Sequence, residues 1–144
     1  MTHEMNGPGV LLVEDDPSDL DLAVRAIREE HARVALRIAR DGEEALKQLF
    51  DQPLEAELPK VVFLDLKLPK VDGLEVLRQI RSREATRCLP VVILTSSDYD
   101  EDIESAYRLG ANSYIVKPVE FEKFSRAVRE MGLYWLHLNE SVTE

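Results

Sequence analysis

The chain lacks the residues on which several common kinds of protein are built. A single cysteine, Cys88, leaves no disulfide framework and no multi-cysteine metal site. His3, His31 and His137 are too scattered to assemble a zinc site by local spacing. The six glycines form neither a Walker loop nor a G-x-G-x-x-G turn, and no G-x-S-x-G elbow occurs. No apolar run approaches the ~20 residues needed to span a bilayer. The polar start, Met1 to Gly9, has no apolar stretch of the kind that opens a secretory signal. Basic residues are outnumbered, 18 Lys+Arg against 28 Asp+Glu. The resulting net charge of −10 opposes binding to nucleic acid or an anionic membrane surface, which needs clustered cations. What remains is the expectation of a soluble cytoplasmic protein. Its 144 residues suit one domain, and at 44% hydrophobic it can build a core.

What the chain does have is a repeated order of short apolar run, polar residues, then helical spacing. Val10–Val13 runs into Glu14-Asp15-Asp16, Val61–Leu64 into Asp65, Val91–Leu94 into Thr95-Ser96-Ser97, and Tyr114–Val116 into Lys117-Pro118. Unbroken β-branched and large apolar runs predict strands buried on both faces of a parallel sheet. Val34, Leu36 and Ile38 alternate with other residues, which suits a strand nearer an edge. Leu20, Ala23, Val24 and Ile27 have helical spacing behind a cap at Asp16, with Pro17 in the first turn. Further helices follow Asp41-Gly42, Gly73 and a capping candidate at Asp98, and a last stripe runs Phe121, Phe124, Val128, Met131, Trp135, Leu138. Asp51 to Pro59 reads as a loop. Five βα units predict an α/β sandwich, a parallel sheet covered by helices on both faces.

In such a sheet, ligands bind beyond the carboxyl ends of the strands. The residues standing there are Glu14, Asp15, Asp65, Thr95 and Lys117: three carboxylates, a hydroxyl and an ammonium. Each alone has an ordinary explanation, as a helix cap, a turn, a strand end or a surface lysine. Five at corresponding positions point to a binding site. Clustered carboxylates repel until a divalent cation neutralises them, and hard oxygen donors suit Mg²⁺. A carboxylate beside Mg²⁺, an ammonium and a hydroxyl is arranged for in-line attack on phosphorus.

The segments LLVEDDP, FLDLKLPKVDG, VVILTSS and SYIVKP resemble the receiver domain of bacterial two-component response regulators, over Val10 to about Met131. The resemblance implies a flavodoxin-like fold of strand order 2-1-3-4-5. It implies phosphorylation of Asp65 by a sensor histidine kinase, and Mg²⁺ on Asp15 and Asp65, with Glu14 acting through water and Lys67 offering its backbone carbonyl. Thr95 and Tyr114 take the switch positions, Ser96 the small residue beside the phosphate, and Lys117 the phosphate-binding lysine. A cis bond is implied before Pro118. Lys67 and Ser97 occupy positions that tune phosphoryl lifetime in the family. The Lys67 side chain either shields the acyl phosphate or points to solvent.

Residues 1–9 are expected to form a flexible segment, 10–138 the receiver and 139–144 a tail, with no output domain. The expected role is then signalling by contact with an unidentified target, not enzymatic turnover beyond the site's own phosphorylation and dephosphorylation. The tail Gly132–Leu138 resembles stand-alone receivers paired with phytochrome-type histidine kinases. A homodimer is expected on the last helix, because straight α-helical spacing turns Leu133 and Leu136 away from its core stripe. Two alternatives stand beside this reading. One is a Mg²⁺-dependent phosphatase or phosphotransferase with Asp65 as nucleophile, although enzymes of that haloacid-dehalogenase-like kind typically carry a second aspartate two residues after the nucleophile, where this chain has Lys67. The other is a binding module that is never phosphorylated.

Overall fold

The computed structural model describes residues 9–51, 58–117 and 120–138. Strands β1 (Val10–Val13), β2 (Leu36–Ala39), β3 (Val61–Leu64), β4 (Val91–Thr95) and β5 (Ser113–Val116) form one sheet of order β2-β1-β3-β4-β5. Every pairing is parallel. They alternate with α1 (Pro17–Glu30), α2 (Gly42–Phe50), α3 (Gly73–Ser82), α4 (Asp100–Arg108) and α5 (Phe121–Leu133). This is the flavodoxin-like arrangement that the resemblance implies.

The unbroken runs explain the layering. Successive side chains of β1, β3 and β4 point to opposite faces, and both faces are covered. Leu11, Val62 and Ile93 pack with α2, α3 and α4 through Ala45, Val76, Leu77, Ile80 and Ala106. Leu12, Phe63 and Val92 pack with α1 and α5 through Ala23, Ile27, Phe124 and Val128. Helix starts are fixed by aspartates at Asp16, Asp41 and Asp72, whose carboxylates accept from the amides of Asp19, Glu44 and Glu75.

Four sequence expectations need correction. Asp98 does not cap α4: Tyr99 occupies the cap position without a side-chain bond, and Ser97 Oγ instead bonds Asp102 in the first turn. That bond anchors the helix start from inside the fold and leaves Asp98 exposed. The run Tyr114–Val116 is not buried on both faces, because β5 is an outer strand and Val116 is 40% exposed. Gly9, placed in the flexible segment, is buried, and its carbonyl accepts from the Lys60 amide at 2.7 Å.

The fourth correction concerns the last helix. Leu136 does not face water: it is 5% exposed and joins the core under α1 and α5. The reason is a π-helical turn over Tyr134–Leu138. Its wider i→i+5 winding advances less per residue than an α-helix and brings Leu136 back towards the sheet. The Leu136 carbonyl accepts from Lys60 Nζ at 3.0 Å. Leu133 and Tyr134 remain about half exposed. Gly132 sits inside α5 for a packing reason, since a Cβ there would lie 3.0 Å from the His31 ring at the end of α1. The Lys117–Pro118 bond, most of the 1–9 segment and the 139–144 tail lie outside the described residues.

Candidate functional site

Parallel register brings the strand ends level, with Val13 opposite Leu64 and Thr95 opposite Val116. The ladder then continues one residue further. The amides of Glu14, Asp65 and Lys117 donate to the carbonyls of Ala39, Val13 and Thr95 at 3.0, 3.1 and 2.8 Å. These backbone bonds hold the three charged residues at the carboxyl edge by the same network that holds the sheet. The start of α3 presses against Asp65: a Cβ on Gly73 would lie 2.2 Å from the Asp65 carbonyl oxygen, so only glycine fits. Between them the β3–α3 loop turns through Lys70, a non-glycine residue at φ 70°. The Lys70 ammonium lies 3.6 Å from Asp41 and 3.5 Å from Glu43, tying that loop to the start of α2.

The centre of the site is the Lys117 ammonium, carried on a side chain only 8% exposed. It donates to Glu14 Oε1, to Asp19 Oδ2 at 2.8 Å and to Asp65 Oδ2 at 3.3 Å. Asp65 Oδ1 accepts from the Lys67 amide at 3.2 Å, and Glu14 Oε2 from the Asp16 amide at 3.0 Å. Burial raises the Glu14 carboxyl to about 7; the Lys117 hydrogen bond opposes that rise and the charge of Asp65 adds to it. Burial alone would weaken the Lys117 ammonium, but its bonds to Asp19 and Glu14 and the charge of Asp65 prevail, raising its pKa above the ordinary lysine value.

Glu14, Asp15 and Asp65 each offer a carboxylate oxygen within 4.8 Å of the others. Two are buried and Asp15 is exposed, a donor set of hard oxygens that fits a divalent cation retaining several waters. Beside them the Thr95 side chain is fully buried, and its hydroxyl has no hydrogen-bond partner among the described residues. A buried unpaired hydroxyl is uncommon and calls for a reason. Ser96 is exposed at the end of β4. Tyr114 is half buried and donates its hydroxyl to the Ser97 carbonyl at 2.9 Å. Burial raises the Tyr114 phenol above its ordinary value. The Lys67 side chain is exposed and leans toward α4, 3.9 Å from Asp102. An open groove of about 540 Å³ runs beside the site, lined by Asp15, Leu66, Lys67, Leu68 and Asp102 among others.

The structure therefore places Glu14, Asp15, Asp65, Thr95 and Lys117 at one edge of the sheet. It adds one residue that sequence reasoning passed over. Asp19 reaches Lys117 because it sits three residues after the cap Asp16, in the first turn of α1. That spacing is the signal that was available.

The match to the response regulator receiver domain covers residues 10–129, and the chain belongs to that family. It is 44% identical over 133 residues to the probable methanogenesis regulatory protein FilR2 of Methanothrix harundinacea, covering 92% of this chain and 86% of that one. It is 35% identical to response regulator Rcp1 of Synechocystis sp., over 99% and 97% of the two chains. The solved Mn²⁺-bound form of Rcp1 superposes with a TM-score of 0.86 at 31% identity, covering 95% of this chain and all of that one. The phosphorylated cyanobacterial phytochrome response regulator RcpA superposes with a TM-score of 0.87 at 32% identity, over 94% and 99%. Among receivers, the chain is thus similar to phytochrome response regulators over nearly their whole length. Among the described residues, no helix is long and apolar enough to cross a membrane.

Proposed function

We propose that Asp65 accepts a phosphoryl group from the phosphohistidine of a sensor kinase and that the chain signals in the cytoplasm by phosphorylation-dependent contact. The observation that carries this is the buried Asp65 carboxylate, 3.3 Å from Lys117 on the edge that also holds the unpartnered Thr95 hydroxyl. In the reaction an Asp65 carboxylate oxygen bonds to phosphorus as the P–N bond breaks, and the leaving imidazole takes up a proton. Glu14, Asp15 and Asp65 would hold Mg²⁺, with the Lys67 carbonyl as a further donor. That ion, when bound, offsets the charge of the phosphoryl oxygens. Lys117 and Thr95 supply the remaining donors to those oxygens, and Ser96 leaves room beside them. The phosphoryl adds roughly −1.5 to −2 charges, which draws Thr95 inward and biases the β4–α4 loop on which Tyr114 is anchored. A phosphatase acting on small substrates is disfavoured, because the residue two after Asp65 is a lysine that reaches away toward Asp102.

Wild type incubated with acetyl phosphate and Mg²⁺ is expected to gain one phosphoryl group by mass. Asp65→Asn is expected to gain none, and phosphorylation of that variant at the wild-type rate would refute the assignment.

Residues 10–138 form the receiver unit in this reading. A phytochrome-type histidine kinase is the proposed donor, on the likeness to RcpA and Rcp1. The dimer is proposed through Leu133 and Tyr134, the exposed apolar residues at the end of α5, with Leu136 beneath them as core. Two such side chains doubled by a twofold axis make an anchor at roughly 1.5–3 kcal/mol each. Sedimentation at tens of micromolar should show a dimer for wild type and a monomer for Leu133→Glu/Tyr134→Glu. A monomeric wild type, with and without phosphorylation, ends the idea.

A further inference from the structure

Lys117 has three N–H donors, and each is directed at a carboxylate: Glu14, Asp19 and Asp65. Two of those acceptors belong to the metal-competent cluster of Glu14, Asp15 and Asp65, and Asp19 does not. Asp19 has another origin. It comes from the first turn of α1, where its amide donates to the Asp16 cap at 2.8 Å and the helix N-terminus favours its negative charge. It is therefore a fixed anion, one-third exposed, that holds the ammonium from the α1 side at a shorter distance than Asp65 does.

We propose that Asp19 is a positioning residue for the phosphorylation reaction, a competing carboxylate that holds the Lys117 ammonium until the phosphoryl group on Asp65 outbids it. The proposal rests on the phosphoacceptor reading of Asp65. A phosphorylated Asp65 needs a Lys117 donor for its new oxygens. The most replaceable of the three bonds is the one to Asp19, because Glu14 is buried and locked by the Asp16 amide. Asp19 thus sets how much of the phosphoryl–lysine attraction is available to stabilise the phosphorylated state. The cap bond uses the backbone amide of residue 19, so exchanging its side chain leaves the start of α1 intact.

The test measures binding of beryllofluoride, a phosphoryl mimic, at saturating Mg²⁺ for wild type, Asp19→Asn, Asp19→Glu, Lys117→Met and the double variant Asp19→Asn/Lys117→Met. Asp19→Asn should bind about three- to tenfold tighter, the scale of one charge-assisted hydrogen bond discounted for partial exposure. Asp19→Glu should restore near-wild-type affinity. In the Lys117→Met background the Asp19→Asn exchange should change affinity by less than about twofold, because the residue through which it acts is gone. Unchanged affinity in Asp19→Asn overturns the proposal. So does an equal gain in the Lys117→Met background, which would mean that Asp19 acts only through its general negative field. A wild type that binds no beryllofluoride overturns the phosphoacceptor reading itself.

Discussion

At each end of the sheet the fold draws a cation at least partly out of water, and the two are held in opposite ways. At the amino end, Arg81 of α3 donates to the carbonyls of Leu89 at 2.7 Å and Gly110 at 2.8 and 3.0 Å, and to Asn112 Oδ1 at 2.9 Å. Asn112 Oδ1 also accepts from the Val91 amide at 2.8 Å, so one guanidinium joins α3 to the starts of β4 and β5. Gly110, at φ 104°, makes room for it, since a Cβ there would meet Arg81 Nε at 2.8 Å. At the carboxyl end Lys117 has charged partners and no carbonyl acceptor among the described bonds. Neutral backbone acceptors cannot leave, and an arginine matched to them in a fixed fork is a permanent joint. Carboxylates can be protonated, metallated or phosphorylated, and a lysine shared among three of them can change allegiance. The same burial of positive charge yields a rivet at one end and a movable group at the other.

The largest expected effect tests that contrast directly. Arg81→Met should destabilise the protein by about 2–4 kcal/mol, because it removes charge-assisted bonds to the partly buried Leu89 and Gly110 carbonyls at once. Mg²⁺ should not restore the loss. Lys117→Met should cost less in the metal-free protein, because the carboxylates left behind can bind protons, and Mg²⁺ should recover most of that loss. Denaturant melts of both variants with chelator and with Mg²⁺ check this. Rescue of Arg81→Met by Mg²⁺, or none for Lys117→Met, would remove the distinction between the two ends.

Much of this molecule is legible in its sequence, and the parts that are not share a cause. The unbroken runs at Val10, Val61 and Val91 define central strands because burial on both faces requires them. The acids and the lysine follow at corresponding offsets because parallel strands end on one edge. Asp19 is hidden because one more acid in the first turn of an acidic chain looks like an ordinary dipole partner. Arg81 is hidden for the mirror reason: a basic residue in the last turn of a helix reads as surface. Leu136 misleads because its direction depends on the π-helical winding after Leu133, which no hydrophobic period encodes. In each case the missing information is a tertiary contact and not a residue type.

The smallest effect concerns the charged end alone. Glu14 has its carboxyl raised to about 7 from an ordinary 4.5, first by burial, so the folded state holds that proton more tightly than the unfolded chain does. The stabilisation is complete below about pH 4.5 and is lost as pH rises to 7 and beyond. Metal-free protein should therefore lose about 2–3 kcal/mol across that window, and Glu14→Gln should flatten the profile. Saturating Mg²⁺ should reverse the slope, since cation binding demands the ionised carboxylates. Within this profile Asp65→Asn should add a further increment of about 1 kcal/mol at pH 8. The exchange gives up a 3.3 Å contact with Lys117, but Lys117 keeps Glu14 and Asp19, while Glu14 is freed from a neighbouring negative charge. Three carboxylates around one ammonium carry an excess of negative charge, so removing one relieves more repulsion than the attraction it forfeits. Melts in chelator at pH 5 and pH 8 decide it, and a less stable Asp65→Asn protein at pH 8 would show that Asp65 serves Lys117 more than it burdens Glu14.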